Sequence, residues 1–229
     1  MQTLSERLSL IAGFVDAGSS VCDVGTDHGY LPAFLYLSGK SPRVTATDIR
    51  EKPLENAKAN LERLGVRGVN LILCDGLSAV TRDMCDTVII AGMGGEVISG
   101  IIDRAPFVKD SSVKLILQPM TAARELREYL AQNGFEVEQE QAVRENRKVY
   151  SVMVARFSGK PYILDSVTSL IGHLKVDSEA SKEYIKKQQR IVYNCAKSLS
   201  TVVEKQSEYL EYKVLSDALE EILEEKNGI

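Results

Sequence analysis

Residues 135–157 read FEVEQEQAVRENRKVYSVMVARF. Two runs rich in β-formers flank the polar turn Arg144-Glu145-Asn146-Arg147. A connection this short cannot make the crossover that joins parallel strands, so the pair is an antiparallel hairpin. Everything before it has a different rhythm. SSVCDVGTDHGYLP (19–32) is a buried strand, a glycine-bearing turn and the start of a helix running from Leu31 to about Ser38. RVTATDI (43–49) is a second strand. EKPLENAKANLERLG (51–65) is a helix, with Leu54, Ala57, Leu61 and Leu64 at helical spacing and Gly65 as its stop. Strands NLILCDG and DTVIIAGMGG, helix EVISGIIDRA, strand VKLILQP and helix TAARELREYLAQNG complete the series. Short apolar runs alternating with helices predict a parallel sheet covered on both faces. The expectation is an α/β fold: a mostly parallel, seven-stranded, Rossmann-like sheet closed by an antiparallel C-terminal hairpin.

Outside that sheet, Leu4, Leu8, Ile11 and Val15 give the N-terminus an amphipathic helix. It has no basic leader, which argues against a signal peptide. No apolar stretch reaches the ~18–20 residues that span a bilayer. Gly159-Lys160-Pro161 marks a boundary between residues 1–158 and 161–229. Beyond it, Ile185, Gln189, Val192, Ala196, Leu199 and Val203 form one helical seam, and Tyr212, Leu215, Leu219 and Ile222 a second. Two such seams predict a coiled-coil-like helical hairpin, serving as a packing appendage, a dimer seam or a binding surface.

At 229 residues, with 44% hydrophobic and 26% charged residues, the chain is long enough for one sizeable core and an appendage. Cys22, Cys74, Cys85 and Cys195 are scattered, without the spacing of a zinc or redox pair, and read as reduced thiols of a cytoplasmic protein. Cys22 and Cys74 fall in runs that read as buried strands. The only histidines, His28 and His173, lie far apart, so no metal site is expected. The net charge of −4 argues mildly against a nucleic-acid partner. Its distribution does not: residues 180–205 carry six basic residues against Glu183 and Glu204, and the segment 206–229 is acidic. Those two helices either neutralise each other or leave the basic one free for a polyanion.

Four stretches carry chemistry. In Asp23-Val-Gly-Thr-Asp-His-Gly29 the glycines allow a tight turn at the carboxyl end of a strand, where open α/β sheets bind ligands. The G-x-G-x-x-G phosphate fingerprint is absent. Asp23 and Asp27 would repel a pyrophosphate and suit a cofactor with a cationic amino-acid end, such as S-adenosylmethionine. Asp48, closing the second strand, can accept from the hydroxyls of a ribose. Asp75-Gly76-Leu77 offers an acid for an adenine amine, a backbone amide and an apolar wall. Ala91-Gly92-Met93-Gly94 ends the fourth strand where donor and acceptor would meet. It lacks the Asn/Asp-Pro-Pro-aromatic motif of adenine-N6 enzymes and leaves room for a flat ring.

Together, CDVGTDHGYLP, ATDI, CDGL, AGMGG, LILQP and ENRKVYSV, followed by a helical hairpin, resemble the bacterial tRNA (adenine-22-N1)-methyltransferase family, TrmK. The resemblance covers residues 1–158 and, mainly in architecture, 161–229; Ile171-Gly172-His173-Leu174 departs from the pattern. It implies a class I S-adenosylmethionine-dependent methyltransferase fold and methyl transfer to N1 of adenine 22 of tRNA in the cytoplasm, by a monomer or weak homodimer with no membrane or metal partner. It implies a cofactor site of Arg7, Asp23, Gly25, Thr26, Gly29, Asp48, Ile49, Asp75, Gly76, Leu77, Ala91, Gly92, Met93 and Gly94. Asp27 is the candidate acceptor for charge developing on the adenine amine, and His28 orients the base or takes a proton; a His28 satisfied within the loop is the plainer alternative. Tyr30 is a candidate base-stacking residue. Arg144, Asn146, Arg147, Lys148, Lys186, Lys187 and Arg190 are candidate RNA contacts. The competing functions are methylation of another acceptor and non-catalytic cofactor binding.

Overall fold

The computed structural model describes residues 3–224. Its sheet has seven strands: β1 (Ser20–Val24), β2 (Arg43–Asp48), β3 (Val69–Leu73), β4 (Thr87–Gly94), β5 (Lys114–Thr121), β6 (Phe135–Glu145) and β7 (Lys148–Phe157), in the order β3-β2-β1-β4-β5-β7-β6. β1 to β5 pair in parallel. β7 runs antiparallel to β5 and to β6. The chain winds outward from β1 to β3, then returns to lay β4 on the other side of β1. That reversal opens a crevice at the carboxyl ends of β1 and β4.

Helices cover both faces, which explains the near-continuous apolar runs of the central strands. Cys22, Val24, Val88, Ile90, Leu115 and Leu117 face α4 (Gly95–Asp103) and α5 (Ala123–Gln132). Val21, Ile89, Ile116 and Val152 face α1 (Glu6–Phe14) and α2 (Tyr30–Leu37). Helix α3 (Glu51–Arg63) packs Leu61 against Ala33 of α2. β3 is a half-exposed edge strand, and Cys74, expected inside it, follows its end and is half-buried.

The tail is more elaborate than a two-helix hairpin. A short α6 (Ser166–Ile171) precedes α7 (Glu179–Leu199), and α8 (Gln206–Glu224) returns along α7. Ile185, Val192, Ala196 and Leu219 are buried as the seams predict. Val203 is not: it sits in a 3-10 turn and is 84% exposed, so the first seam stops before it. The end of the acidic segment, residues 225–229, lies outside the described residues.

A buried ion pair bolts this tail to the sheet. Arg127 Nη2 donates to Glu140 Oε1 at 2.6 Å, with side chains 2% and 0% exposed. Arg127 Nη1 donates to the carbonyls of Ser169 and Leu170 at the end of α6, and Nη2 also reaches the Tyr184 hydroxyl of α7. Burial by itself disfavours the Arg127 charge, but the Glu140 carboxylate and the Tyr184 oxygen outweigh it and hold its pKa above the ordinary value. Glu140 faces inward because β6 bulges between Val137 and Gln139. One extra residue moves the positions facing α5 from odd (Phe135, Val137) to even (Glu140), while Val143 packs on the opposite face.

Candidate functional site

The β1–α2 loop is locked down first. The amides of Gly25 and Thr26 both donate to the Thr47 carbonyl, at 2.8 and 3.0 Å. Gly25 has a φ of 75°, a backbone conformation that side chains rarely adopt, and the Met93 methyl packs over it. Thr47 Oγ1 donates to the Gly76 carbonyl at 3.0 Å, lacing the ends of β1, β2 and the β3 loop together.

Two adjoining depressions result. One, of about 390 Å³, is lined by Asp48, Ile49, Asp75 and Gly76 on one side and Met93, Val97 and Ile101 on the other. The second, of about 370 Å³, is lined by Arg7, Asp23, Thr26, His28, Tyr30 and Met120. Gly25, Asp27, Ala91 and Gly92 line both, so they form one cleft. Its charged groups differ in environment. Burial, foremost, pushes the Asp23 carboxyl up to about 6; the nearby Thr26 hydroxyl pulls it down and the Asp48 carboxylate pushes it further up. Thr26 Oγ1 is buried with no hydrogen-bond partner of normal geometry. Asp48 is buried, and its Oδ1 accepts from the Arg50 amide at 3.0 Å. Asp75 is exposed and takes both its oxygens to Arg104 Nη2, at 3.2 and 3.4 Å.

At the cleft's rim, Asp27 adopts a φ of 50°, a strained value for a residue with a side chain. His28 Nε2 lies 3.5 Å from Asp27 Oδ2, and the His28 ring stacks on Tyr30 with centroids 5.5 Å apart. Arg7 also faces the cleft, but its Nε donates to Glu145 and its Nη1 to Gln118. It thereby ties α1 to the β6–β7 turn. Buried Gln118, to which the sequence reading gave no role, accepts from both Arg7 and the Gly92 amide.

Three expected cofactor residues stand back from the cleft. Leu77 is core, and Val97 and Ile101 of α4 form the apolar wall in its place. Gly29 closes against Ala57 of α3, and Gly94 caps α4. The expected RNA contacts divide likewise. Arg147, Lys148, Lys186, Lys187 and Arg190 line one depression of about 460 Å³ between the β6–β7 turn and α7. Lys186, Lys187 and Arg190 are exposed, and none is ion-paired to α8 among the described residues. Arg144 instead pairs with Glu183 at 3.3 Å, and Asn146 supplies the positive φ of the turn. No helix among the described residues is long and apolar enough to cross a membrane. Among them, no cluster of His, Cys, Asp and Glu is arranged to hold a metal ion.

Comparison with known proteins agrees with this architecture. A methyltransferase-domain family model matches residues 4–153. The tRNA (adenine(22)-N(1))-methyltransferase of Bacillus subtilis is 31% identical over 172 residues, covering 75% of this chain and 72% of the relative. The crystal structure of the B. subtilis M1A22 tRNA methyltransferase TrmK superposes with a TM-score of 0.83 at 26% identity, covering 97% of this chain and all of that one. A candidate tRNA (m1A22) methyltransferase of Streptococcus pneumoniae, solved with S-adenosyl-L-methionine, gives 0.79 at 30% identity, covering 96% of this chain and all of that one. With the domain matched, the relative covered over most of its length and the tail superposed as well, the chain belongs to the tRNA (adenine(22)-N(1))-methyltransferase family.

Proposed function

We propose that this chain transfers the methyl group of S-adenosylmethionine to N1 of adenine 22 in tRNA. The observation that carries the reading is a carboxylate-lined cleft in a chain of this family, linked through the cavity that holds Met120, Val149 and Lys187 to a depression lined by five cations and Glu183. The residues present fit the cofactor. Buried Asp23 and the orphan Thr26 hydroxyl suit an ammonium-bearing amino-acid end, buried Asp48 a ribose, and Asp75 an adenine amine. When bound, S-adenosylmethionine supplies a methyl group activated by its sulfonium.

Adenine N1 has an in-plane lone pair and is itself the nucleophile. The protein's main part is orientation, worth ~7–11 kcal/mol at best. The methylated base is cationic until its exocyclic amine loses a proton. Asp27, where the two depressions meet, accepts from that amine, with carbonyls of the Gly92 turn beside it and His28 within reach of its carboxylate. Tyr30 stacks on the base. Drawing adenine 22 out of its stack costs a few kcal/mol. Phosphate contacts from Arg147, Lys148, Lys186, Lys187 and Arg190 offset this. Residues 1–158 act as the catalytic domain and 161–229 as the helical RNA-holding domain. The enzyme works in the cytoplasm as a monomer or weak homodimer, since one chain holds a complete cleft.

The test is incubation with tritiated S-adenosylmethionine and bulk tRNA, followed by nucleoside analysis. Label in 1-methyladenosine at position 22 is the expected result. Label in another acceptor redirects the function. Calorimetric binding of the cofactor without any transfer makes the chain a binding module.

A further inference from the structure

Beside the catalytic cleft lies a cavity of about 470 Å³ between the β5–α5 loop and the α7–α8 hairpin. We propose that it holds a second unstacked nucleobase, from the same tRNA strand as the methylated adenine; this rests on the tRNA reading above. The cavity is of ligand-binding size. Its apolar and aromatic lining suits a flat ring, and Arg124 and Lys187 suit the polyanionic strand that carries it, beside one carboxylate, Glu125. Met120 and Ile191 remain 37% and 48% exposed there, beside half-buried Tyr212. Gln188 adds an amide able to donate to or accept from any base edge. Apolar and aromatic faces of this kind stack bases without choosing among them.

Continuity points to the same strand. Met120 lines both this cavity and the depression that holds Asp27, His28 and Tyr30. At the other end, Val149 and Lys187 line both the cavity and the cationic depression. The surface therefore runs from methyl-transfer site to apolar cavity to phosphate-binding cations, the order in which a single strand presents a base, a neighbouring base and the backbone beyond. The cavity also touches the catalytic loop. Ala122 holds a strained φ of 54°, and its carbonyl occupies the space a Cβ on Gly95 would need. A base seated in the cavity rests on the segment that braces the Gly92–Gly95 turn.

The experiment uses the full-length protein and tRNA carrying 2-aminopurine at one nucleotide flanking adenine 22 at a time. One position should change its fluorescence about twofold on binding, as its stacking partners are replaced. Ile191→Glu, at an exposed site that need not disturb folding, should abolish that response. It should also raise the tRNA dissociation constant about tenfold, with cofactor affinity by calorimetry unchanged. Gln188→Ala should weaken the same response. If no flanking position responds, or if Ile191→Glu keeps both the response and the affinity, the assignment is overturned. When the wild-type protein still methylates tRNA in that case, only the cavity assignment falls; when it leaves tRNA unmethylated, the acceptor reading falls and takes this one with it.

Discussion

Asp23 is the residue whose environment most clearly conflicts with its charge, and replacing it by Asn separates the cofactor reading from a purely structural one. Its side chain is buried at the end of β1, and its pKa of about 6 lies roughly two units above the ordinary 3.8. At about 1.4 kcal/mol per unit, holding it ionised above pH 6 costs the free protein up to ~3 kcal/mol. The sign follows from proton counting. Between pH ~4 and ~6 the folded chain keeps a proton that the unfolded chain has released, so this group's contribution to stability falls as pH rises through that window and stays low above it. An ammonium-bearing ligand needs the ionised form. Cofactor affinity should therefore rise with pH up to about 6 and then level off. Binding at pH 5.5 should release a proton from Asp23, visible as a calorimetric heat that depends on buffer ionisation enthalpy.

Asp23→Asn removes the penalty and the attraction together. The free variant should melt several degrees higher than wild type at pH 7.5, at ~2–4 °C per kcal/mol. It should also bind the cofactor ten- to a hundredfold more weakly, the loss of a charged hydrogen bond of about 1.5–3 kcal/mol. Its affinity should not vary between pH 5 and 7.5. A wild-type affinity that is flat over the same range, together with an Asn variant that binds normally, would refute the reasoning and leave Asp23 a structural acid.

Asp27→Asn should slow single-turnover methyl transfer about tenfold or more while leaving both dissociation constants near wild type, since the carboxylate acts on charge that develops during transfer; an unchanged single-turnover rate moves the role to His28 or the Gly92 carbonyls. Lys186, Lys187 and Arg190 changed together to Ala should weaken tRNA binding and lower its salt slope by up to about three units, one per lost phosphate contact; an unchanged slope makes them solvated cations. Arg127→Ala strands the Glu140 carboxylate in the interior and should cost ~3–5 kcal/mol in urea unfolding, whereas removing both charges, in Arg127→Met with Glu140→Leu, should recover most of that. A loss below about 1 kcal/mol for the single variant would mean the pair does not hold the tail.

The fold was readable where burial is simple. Central strands covered on both faces must be apolar throughout, and the β6–β7 turn leaves no room for a crossover, so strand direction follows from residue type. The carboxylates of the cleft and Gly25, Gly76 and Gly92 were readable for a related reason: a tight turn at a strand end requires particular residues in a particular order, whereas Gly29 and Gly94, in the same turns, serve helix packing and capping. What escaped depends on contacts distant in sequence. Leu77 looks like a wall residue from its place after Asp75-Gly76, yet α4 arrives with Val97 and Ile101 and pushes it into the core. Arg127 sits among Arg124, Glu125 and Glu128 like any charge on a helix surface. Its burial is decided by the carbonyls of Ser169 and Leu170 more than forty positions later. One local clue existed. Phe135 and Val137 alternate, but Ala142 and Val143 are adjacent apolar residues, so the alternation breaks within β6, where the strand bulges between Val137 and Gln139.

That bulge and the Gly92–Gly95 turn are mechanically connected. Arg127 lies one helical turn into α5, the helix that starts from strained Ala122 against Gly95. The guanidinium grips the end of α6 and the Tyr184 hydroxyl, so the orientation of α7 is set from the same short helix that braces the glycine turn. The cations of α7 are thus held in fixed register with the cleft rather than carried on a free arm. A protein that must extract one adenine from a folded tRNA gains from this arrangement. On the proposed tRNA reading, phosphate contacts from α7 would then form only when the target base is already over the cleft.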